Sequence, residues 1–213
     1  LEDLRIEQER YYSTNETLHE KKLYEFLKRL LDIIVSIMGI ILAAPIIFIT
    51  CILVIVESPG NPIFKQERAG RKSKEFNILK IRSMYLDAEK NGPQWADKED
   101  SRVTKIGKFI RKTRIDELPQ LFNVLKGDMS IVGPRPEREV FIREFEKTIP
   151  NFRQRVQIKP GLTGLAQVNG GYDISAKEKL MWDLIYIEKR SLYLDIIIIL
   201  KTFSVIFTGE GAR

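Results

Sequence analysis

Ile33-Ile-Val-Ser-Ile-Met-Gly-Ile-Ile-Leu-Ala-Ala-Pro-Ile-Ile-Phe-Ile-Thr-Cys-Ile-Leu-Val-Ile-Val56 is apolar throughout except at Ser36 and Thr50. About 20 such residues suffice to span a bilayer as a helix, so the run is long enough to be a membrane segment. Pro45 falls near its middle, after Ala43-Ala44, and an interior proline removes a backbone hydrogen bond and kinks a helix. Cations flank both ends: Lys21, Lys22, Lys28 and Arg29 before, then Lys65, Arg68, Arg71, Lys72 and Lys74 after. Positive residues mark the cytoplasmic side, so both ends read as cytoplasmic. The expectation is a re-entrant helix-break-helix over residues 23–56, broken at Ala44-Pro45, that enters and leaves one leaflet. An ordinary spanning helix with a proline kink is the alternative. A buried core helix is disfavoured, because no other segment is apolar enough to enclose it. A secretory signal fits poorly, since the polar leader is long and no small-residue cleavage tail follows.

Outward from this run the chain divides in two. Residues 1–22 are polar and charged and read as a linker or frayed extension, with His19 as a solvated side chain. The chain begins at Leu1 rather than at methionine and reads as part of a longer or processed protein. Residues 57–213 carry the pattern of a small α/β unit. Phe76 to Arg82 reads as a strand, with Ile78, Lys80 and Arg82 on one face. Asn91 to Asp100 reads as a loop. Leu118, Leu121, Phe122 and Leu125 follow helical spacing up to Gly127, a good C-terminal stop. Gly127 to Val132 reads as a turn into a short strand, and Phe141–Lys147 and Ala176–Arg190 as further helices. Tyr193–Phe207 is strongly apolar but carries Asp195 and Lys201, which suits an interfacial helix or a core helix equally. The fold class expected on the re-entrant reading is helix-rich α/β and monotopic: a re-entrant membrane helix plus a small cytoplasmic domain with short strands and interfacial amphipathic helices.

Composition narrows the chemistry. The 213 residues carry a formal charge of +6, which favours anionic partners. One cysteine, Cys51, and one histidine exclude a disulfide framework, a cysteine zinc site and histidine-dependent triads. Carboxylates and arginines are left to act. Arg111-Lys-Thr-Arg-Ile-Asp-Glu-Leu-Pro119 joins Asp116 and Glu117 to Arg111 and Arg114. Pro119 suits a first helical turn, which puts the carboxylates where a helix N-terminus stabilises negative charge. Such a cluster can hold magnesium through oxygen and bind phosphates through arginine, with one carboxylate as nucleophile. Plain helix capping is the competing reading. Gly133-Pro-Arg-Pro136 fixes the backbone around Arg135, and rigid placement of a bidentate cation suits phosphate recognition. Lys159-Pro-Gly-Leu-Thr-Gly164 reads as a glycine-rich turn, with Gln167 and Asn169 placed to contact a sugar or nucleotide, or as a structural turn only. No Walker loop or dinucleotide fingerprint occurs.

Phe76-Asn-Ile-Leu-Lys-Ile-Arg-Ser-Met84, Arg114-Ile-Asp-Glu-Leu-Pro-Gln-Leu121, Lys126-Gly-Asp-Met-Ser-Ile-Val-Gly-Pro-Arg-Pro136, Lys159-Pro-Gly-Leu-Thr-Gly-Leu-Ala-Gln-Val-Asn169 and Tyr186-Ile-Glu with Leu194-Asp195 occur in this order. Together they closely resemble the monotopic phosphoglycosyl transferases, also called bacterial sugar transferases or polyprenyl-phosphate sugar-phosphate transferases, over residues 22–213. The resemblance implies a re-entrant helix; family members often place Ser-Pro at its break, where Ala44-Pro45 stands here. It implies transfer of a sugar phosphate from a UDP-sugar to undecaprenyl phosphate with release of UMP, at the first membrane step of surface polysaccharide or glycoconjugate synthesis. Asp116 would attack the sugar-bearing phosphorus and Glu117 would coordinate Mg2+. Arg111 and Arg135 would hold phosphate oxygens, with Lys80, Arg82 and Arg114 as further candidates. The implied location is the cytoplasmic face of the bacterial inner membrane. Partners are the UDP-sugar, undecaprenyl phosphate and membrane lipids, with a homodimer admitted and nucleic acid not expected. The ending Val205 to Arg213 resembles that of long family members, which carry further membrane and soluble regions ahead of the catalytic part. Two rival functions stand beside it: a non-catalytic basic membrane adaptor, which uses the same helix and cations to bind anionic lipid and needs no adjacent carboxylates, and a lipid phosphatase working through an aspartyl phosphate.

Overall fold

The computed structural model describes residues 21–88, 90, 92, 100–170 and 174–208. Nearly all of the polar segment expected over 1–22, most of the loop expected over 91–100 and the chain's last residues lie outside these. Helix α1 spans Lys22–Glu57 and is one helix with Pro45 inside it. The expected break at Ala44-Pro45 is thus corrected to a continuous helix. Pro45 is exposed, as is Ile41, whose carbonyl the proline leaves without its helical donor. The loss falls on the outer face and leaves the inner face intact.

That inner face is polar. Lys28, Asp32, Ser36, Ala43, Thr50 and Val54 are the buried residues of α1, and they form one stripe at helical spacing. The outer faces carry Ile34, Ile37, Met38, Ile41, Leu42 and Ile49, all exposed. A helix that turns its polar groups to protein and its apolar ones outward inverts the pattern of a water-soluble surface helix. Among the described residues it is the one helix long and apolar enough to cross a membrane.

Both halves of α1 are fastened to the rest of the chain. Near its start, Arg29 donates from Nη1 and Nη2 to the carbonyls of Val124 and Leu125, each at 2.7 Å. Asp32 accepts from Ser130 Oγ at 3.0 Å and Ile131 N at 2.9 Å. At its far end, Glu57 accepts from the backbone of Lys105 and Ile106 at 2.8 and 2.9 Å. These amides open helix α2 (Lys105–Lys112), where Thr104 caps Gly107 N.

Strands β1 (Ile63–Ala69) and β2 (Glu75–Ile81) pair antiparallel, from Ile63 opposite Ile81 to Ala69 opposite Glu75. The expected strand is therefore found, with a partner whose sequence, Ile-Phe-Lys-Gln-Glu-Arg-Ala, shows no clean alternation. Helix α3 (Gln120–Lys126) ends at Gly127 in the left-handed region, φ 98°, as its sequence predicts. It is laid on β2 by Asn123, whose Oδ1 accepts from Leu79 N at 2.9 Å while its Nδ2 donates to Asn77 O at 2.8 Å. One side chain thus completes two main-chain groups of the strand. Asn123→Ala strands both; we expect a loss of about 2–3 kcal/mol, from two hydrogen bonds of about 1 kcal/mol each plus the desolvation of partners left unpaired. Thermal unfolding of the two proteins checks this.

Strands β3 (Ser130–Val132) and β4 (Gly161–Thr163) pair parallel. The Lys159–Gly164 segment, read as a turn, in fact contains this strand. Helices α4 (Glu139–Glu146), α5 (Leu165–Gly170), α6 (Ala176–Lys189) and α7 (Leu192–Thr208) complete the order. The core gathers Val124, Met129, Val132, Ile142, Phe152 and Leu180 between these elements. On α7, Asp195 and Ile198 are buried while Ile196, Leu200 and Phe203 are exposed. The helix therefore serves the core on one side and presents an apolar face on the other.

Candidate active site

Strand β2 and the turn after α2 bring the cations and carboxylates together. Arg114 takes a left-handed conformation, φ 58°, and reverses the chain into a short 3-10 turn, Ile115–Glu117. Asp116 and Glu117 are both buried there, at 6% and 9% exposure, among charged groups rather than in a helix cap. Neither side chain caps α3, whose N-cap position is Pro119. The capping reading of the pair is therefore not what the two carboxylates do.

Their partners differ. Lys80 Nζ, reaching from β2, donates to Glu117 Oε1 at 2.9 Å and lies 3.9 Å from Asp116 Oδ2. Arg135 bonds Glu117 Oε1 through Nη2 and approaches Oε2 through Nη1 at 3.4 Å. Glu117 is thus pinned by two cations, whereas Asp116 has Lys80 at ion-pair range without a hydrogen bond. The electrostatics separate the two residues further. Burial pushes the Asp116 carboxyl up to about 6; Lys80 pulls it back and the Glu117 charge adds to the rise. Burial acts on Glu117 in the same direction, but Arg135 and Lys80 outweigh it and hold that carboxyl well below the usual range. Adjacent carboxylates with pKa values driven apart suit different jobs, one a poised base or nucleophile and the other a fixed anion.

The remaining candidates fall at varied distances from this pair. Arg111 donates from Nε to Ser83 Oγ at 2.9 Å, and its charge also acts on Asp116. Arg82 does not join the carboxylates. Its guanidinium is buried and bonds the Ser58 carbonyl just beyond α1. Strand β2 ends at Ile81, which is buried with Val54 of α1 and Ile110 of α2, so the alternation expected for Arg82 no longer applies. Arg114 serves as the left-handed hinge described above. Gln167 and Asn169 lie in α5 rather than in a loop, and they donate to the carbonyls of Leu162 and Leu165, each at 3.0 Å.

Arg135 itself depends on a close backbone crossing. A Cβ on Gly133 would stand 2.6 Å from Lys159 O, and one on Gly161 would stand 2.1 Å from Gly133 N. Only glycines allow β3 and β4 to approach this tightly where the Gly133–Pro136 loop departs. The donor chemistry also bears on a metal. Among the described residues no group of three or more His, Cys, Asp or Glu is placed to hold one. Mg2+ needs no such cage, since it commonly binds through one or two carboxylates with substrate phosphates and water completing its shell. The adjacent, hard-oxygen Asp116 and Glu117 fit that mode.

A long helix with an outward apolar surface thus joins a small α/β unit that holds two buried acids under lysine and arginine. The chain belongs to the bacterial sugar transferase family, whose model matches residues 23–209. It is similar to the UDP-N-acetylgalactosamine-undecaprenyl-phosphate N-acetylgalactosaminephosphotransferase of Aeromonas hydrophila, 45% identical over 92% of this chain and 49% of that protein. It is 55% identical to a putative undecaprenyl-phosphate N-acetylgalactosaminyl 1-phosphate transferase of Bacillus subtilis over 66% of this chain and 79% of that one. A Caulobacter vibrioides UDP-glucose:undecaprenyl-phosphate glucose-1-phosphate transferase is 38% identical over 87% of this chain and 71% of its own length. The chain spans about half the length of the Aeromonas relative.

Proposed function

We propose that this chain transfers a sugar phosphate from a UDP-sugar to undecaprenyl phosphate, releasing UMP, through a covalent intermediate on Asp116. The observation that carries the reading is the inequality of the acid pair: Asp116 is buried and raised in basicity, while Glu117 is locked by Lys80 and Arg135. Asp116 Oδ attacks the sugar-bearing phosphorus; the bond from that phosphorus to the bridging oxygen breaks, and UMP leaves with the electron pair. A phosphate oxygen of the lipid then attacks the same phosphorus, and the acyl phosphate bond breaks to restore the carboxylate. Lys80, Arg111 and Arg135 supply the positive charge that the phosphoryl oxygens need in both steps. Glu117 and Asp116 are the residues that would hold Mg2+, which when bound neutralises diphosphate charge.

UMP release checks this directly. With Mg2+, a UDP-sugar and undecaprenyl phosphate, UMP should appear at a rate that falls on acidification, because burial raises the Asp116 carboxyl and its protonated form cannot attack. UDP-N-acetylgalactosamine is the first donor to try, since the Aeromonas relative carries that sugar in its name. Release of free phosphate from a phosphorylated lipid with no nucleotide sugar present would instead favour the phosphatase reading. No turnover of either kind would leave the adaptor.

The same proposal places residues 57–213 as a catalytic domain on the cytoplasmic face of the bacterial inner membrane, with α1 re-entrant. Arg29 and Glu57, near opposite ends of α1, both bind parts of that domain, which supports an entry and exit on one side. Pro45 lies on the outer face, and a proline bends a helix away from its own side, here towards the domain. Cysteines introduced at Lys22 and Lys65 should both react with a reagent confined to the cytoplasmic side. Labelling from opposite sides would show that the helix spans.

A further inference from the structure

The carbonyls of the loop that carries Arg135 are held one after another. Pro134 O accepts from Gly161 N at 2.8 Å, and Glu137 O accepts from Ala69 N at 2.9 Å. Between them, Pro136 O accepts from Arg68 Nη1 at 3.2 Å and Arg135 O from Arg155 Nη2 at 3.0 Å. Two of these four donors are backbone groups of neighbouring strands. The other two are guanidiniums, and Arg155 is the more deeply placed, at 3% exposure in the 3-10 turn Phe152–Gln157. Its orientation is set by Asp183 of α6, itself 1% exposed, whose Oδ2 accepts from Nε at 3.0 Å and lies 2.8 Å from Nη2. Phe152 lies against the guanidinium with its ring centre 5.1 Å away.

An ion pair this deep gains little net stability over apolar packing, because desolvating both charges offsets their attraction. What it supplies is fixed geometry. Nη2 is shared between Asp183 and the Arg135 carbonyl, so the pair ties α6 to the backbone of the residue whose side chain grips Glu117.

We propose that Arg155, oriented by Asp183, is a positioning residue that sets Arg135 against Glu117 by holding the Arg135 carbonyl. The proposal rests on the catalytic reading of Arg135 and Glu117 given above. Arg155 touches neither carboxylate of the acid pair; it acts through the loop.

Arg155→Lys separates positioning from folding, since lysine keeps a charge for Asp183 but has no second nitrogen for the carbonyl. Asp183→Asn is the companion variant, keeping size and one acceptor while loosening the pair. Each is assayed for UMP release alone and in an Arg135→Ala background, with thermal melting and hydrogen exchange of the Ala69 and Gly161 amides, which donate to the carbonyls of this loop, read in parallel. Displacing a catalytic group by about 1 Å costs up to about 100-fold in rate, so we expect a loss of roughly 10-fold to 100-fold in kcat with faster exchange at both amides. In the Arg135→Ala background the same changes should cost less than about 2-fold, because the group being positioned is gone. Equal losses in both backgrounds, unchanged kcat and exchange, or failure of both variants to fold would each overturn the proposal. No UMP release by the wild-type protein, with faster exchange still seen in the variants, would overturn the catalytic reading and leave the coupling of Arg155 to the loop standing.

Discussion

Asp116→Asn is expected to lower UMP release by at least about 1,000-fold, since in the proposed mechanism the amide cannot form the acyl phosphate through which both half-reactions pass. The same change should not harm the fold. Asp116 is raised to about 6 by burial, so its ionised form is the one that the folded state disfavours. Stability from such a group is fully present below its unfolded pKa, near 3.9, and is lost as pH rises through about 6. Above that pH the neutral amide removes a buried charge. The variant should therefore melt at or above the wild-type temperature at pH 8, with the difference shrinking towards pH 4. Loss of activity together with a lowered melting temperature at pH 8 would point to a collapsed site rather than a missing nucleophile.

Lys28→Met is expected to damage the fold severely, costing about 3–5 kcal/mol, the usual result of orphaning a buried charge. Lys28 Nζ lies 2.9 Å from Asp195 Oδ2, and Asp195 is fully buried. The remaining acceptor sites of Asp195 take the hydroxyls of Tyr186 at 2.6 Å and Tyr24 at 3.0 Å. This junction joins α1, α6 and α7, so its loss should loosen the start of α1 against α6 and α7. Arg29 and Asp32 still hold it to the carbonyls of Val124 and Leu125 and to β3. Thermal unfolding of protein in lipid nanodiscs gives the size of the effect. Adding Asp195→Asn to Lys28→Met should recover much of the loss, because the unpaired charge is then gone. A single variant within about 1 kcal/mol of wild type would show that the pair is a bystander.

The sequence was most legible where a signal is local. The 24-residue apolar run, the alternation in β2, the helical spacing before Gly127 and the adjacent acids each declare themselves within a few residues. What Pro45 does to α1 was less so, because its effect depends on which face it occupies, and only the packed structure places it outward. Strand β1 lacks alternation because its exposed positions mix Phe64, Lys65 and Glu67, and only pairing with β2 defines it. Helix α2 is short, and its start is fixed by Glu57 from a distant helix end. Strand β4 is a three-residue segment held by main-chain bonds to β3, which leave no mark in side-chain pattern.

The candidate site divides along the same line. Asp116 with Glu117 and Arg135 with its two prolines stand in compact motifs, and Lys80 follows from strand periodicity. Arg82 was grouped with Lys80 by that periodicity, but beyond Ile81 the chain leaves β2 and the end of α1 claims its guanidinium. Arg68 reads in the sequence only as a flanking cation, and Arg155 and Asp183 carry no signal there, because charged residues that meet across 28 or more positions have no local signature. Their order in sequence carries no hint that Arg68 and Arg155 converge on one loop.

The covalent step is the centre of this account, and intact mass spectrometry of the protein tests it most directly. Incubated with Mg2+ and UDP-N-acetylgalactosamine but no lipid phosphate, the protein should gain the mass of one phosphosugar, mapped by proteolysis to Asp116 and discharged on adding undecaprenyl phosphate. Turnover in the complete mixture with no adduct under any trapping condition, or an adduct of the same mass retained by Asp116→Asn, would contradict it.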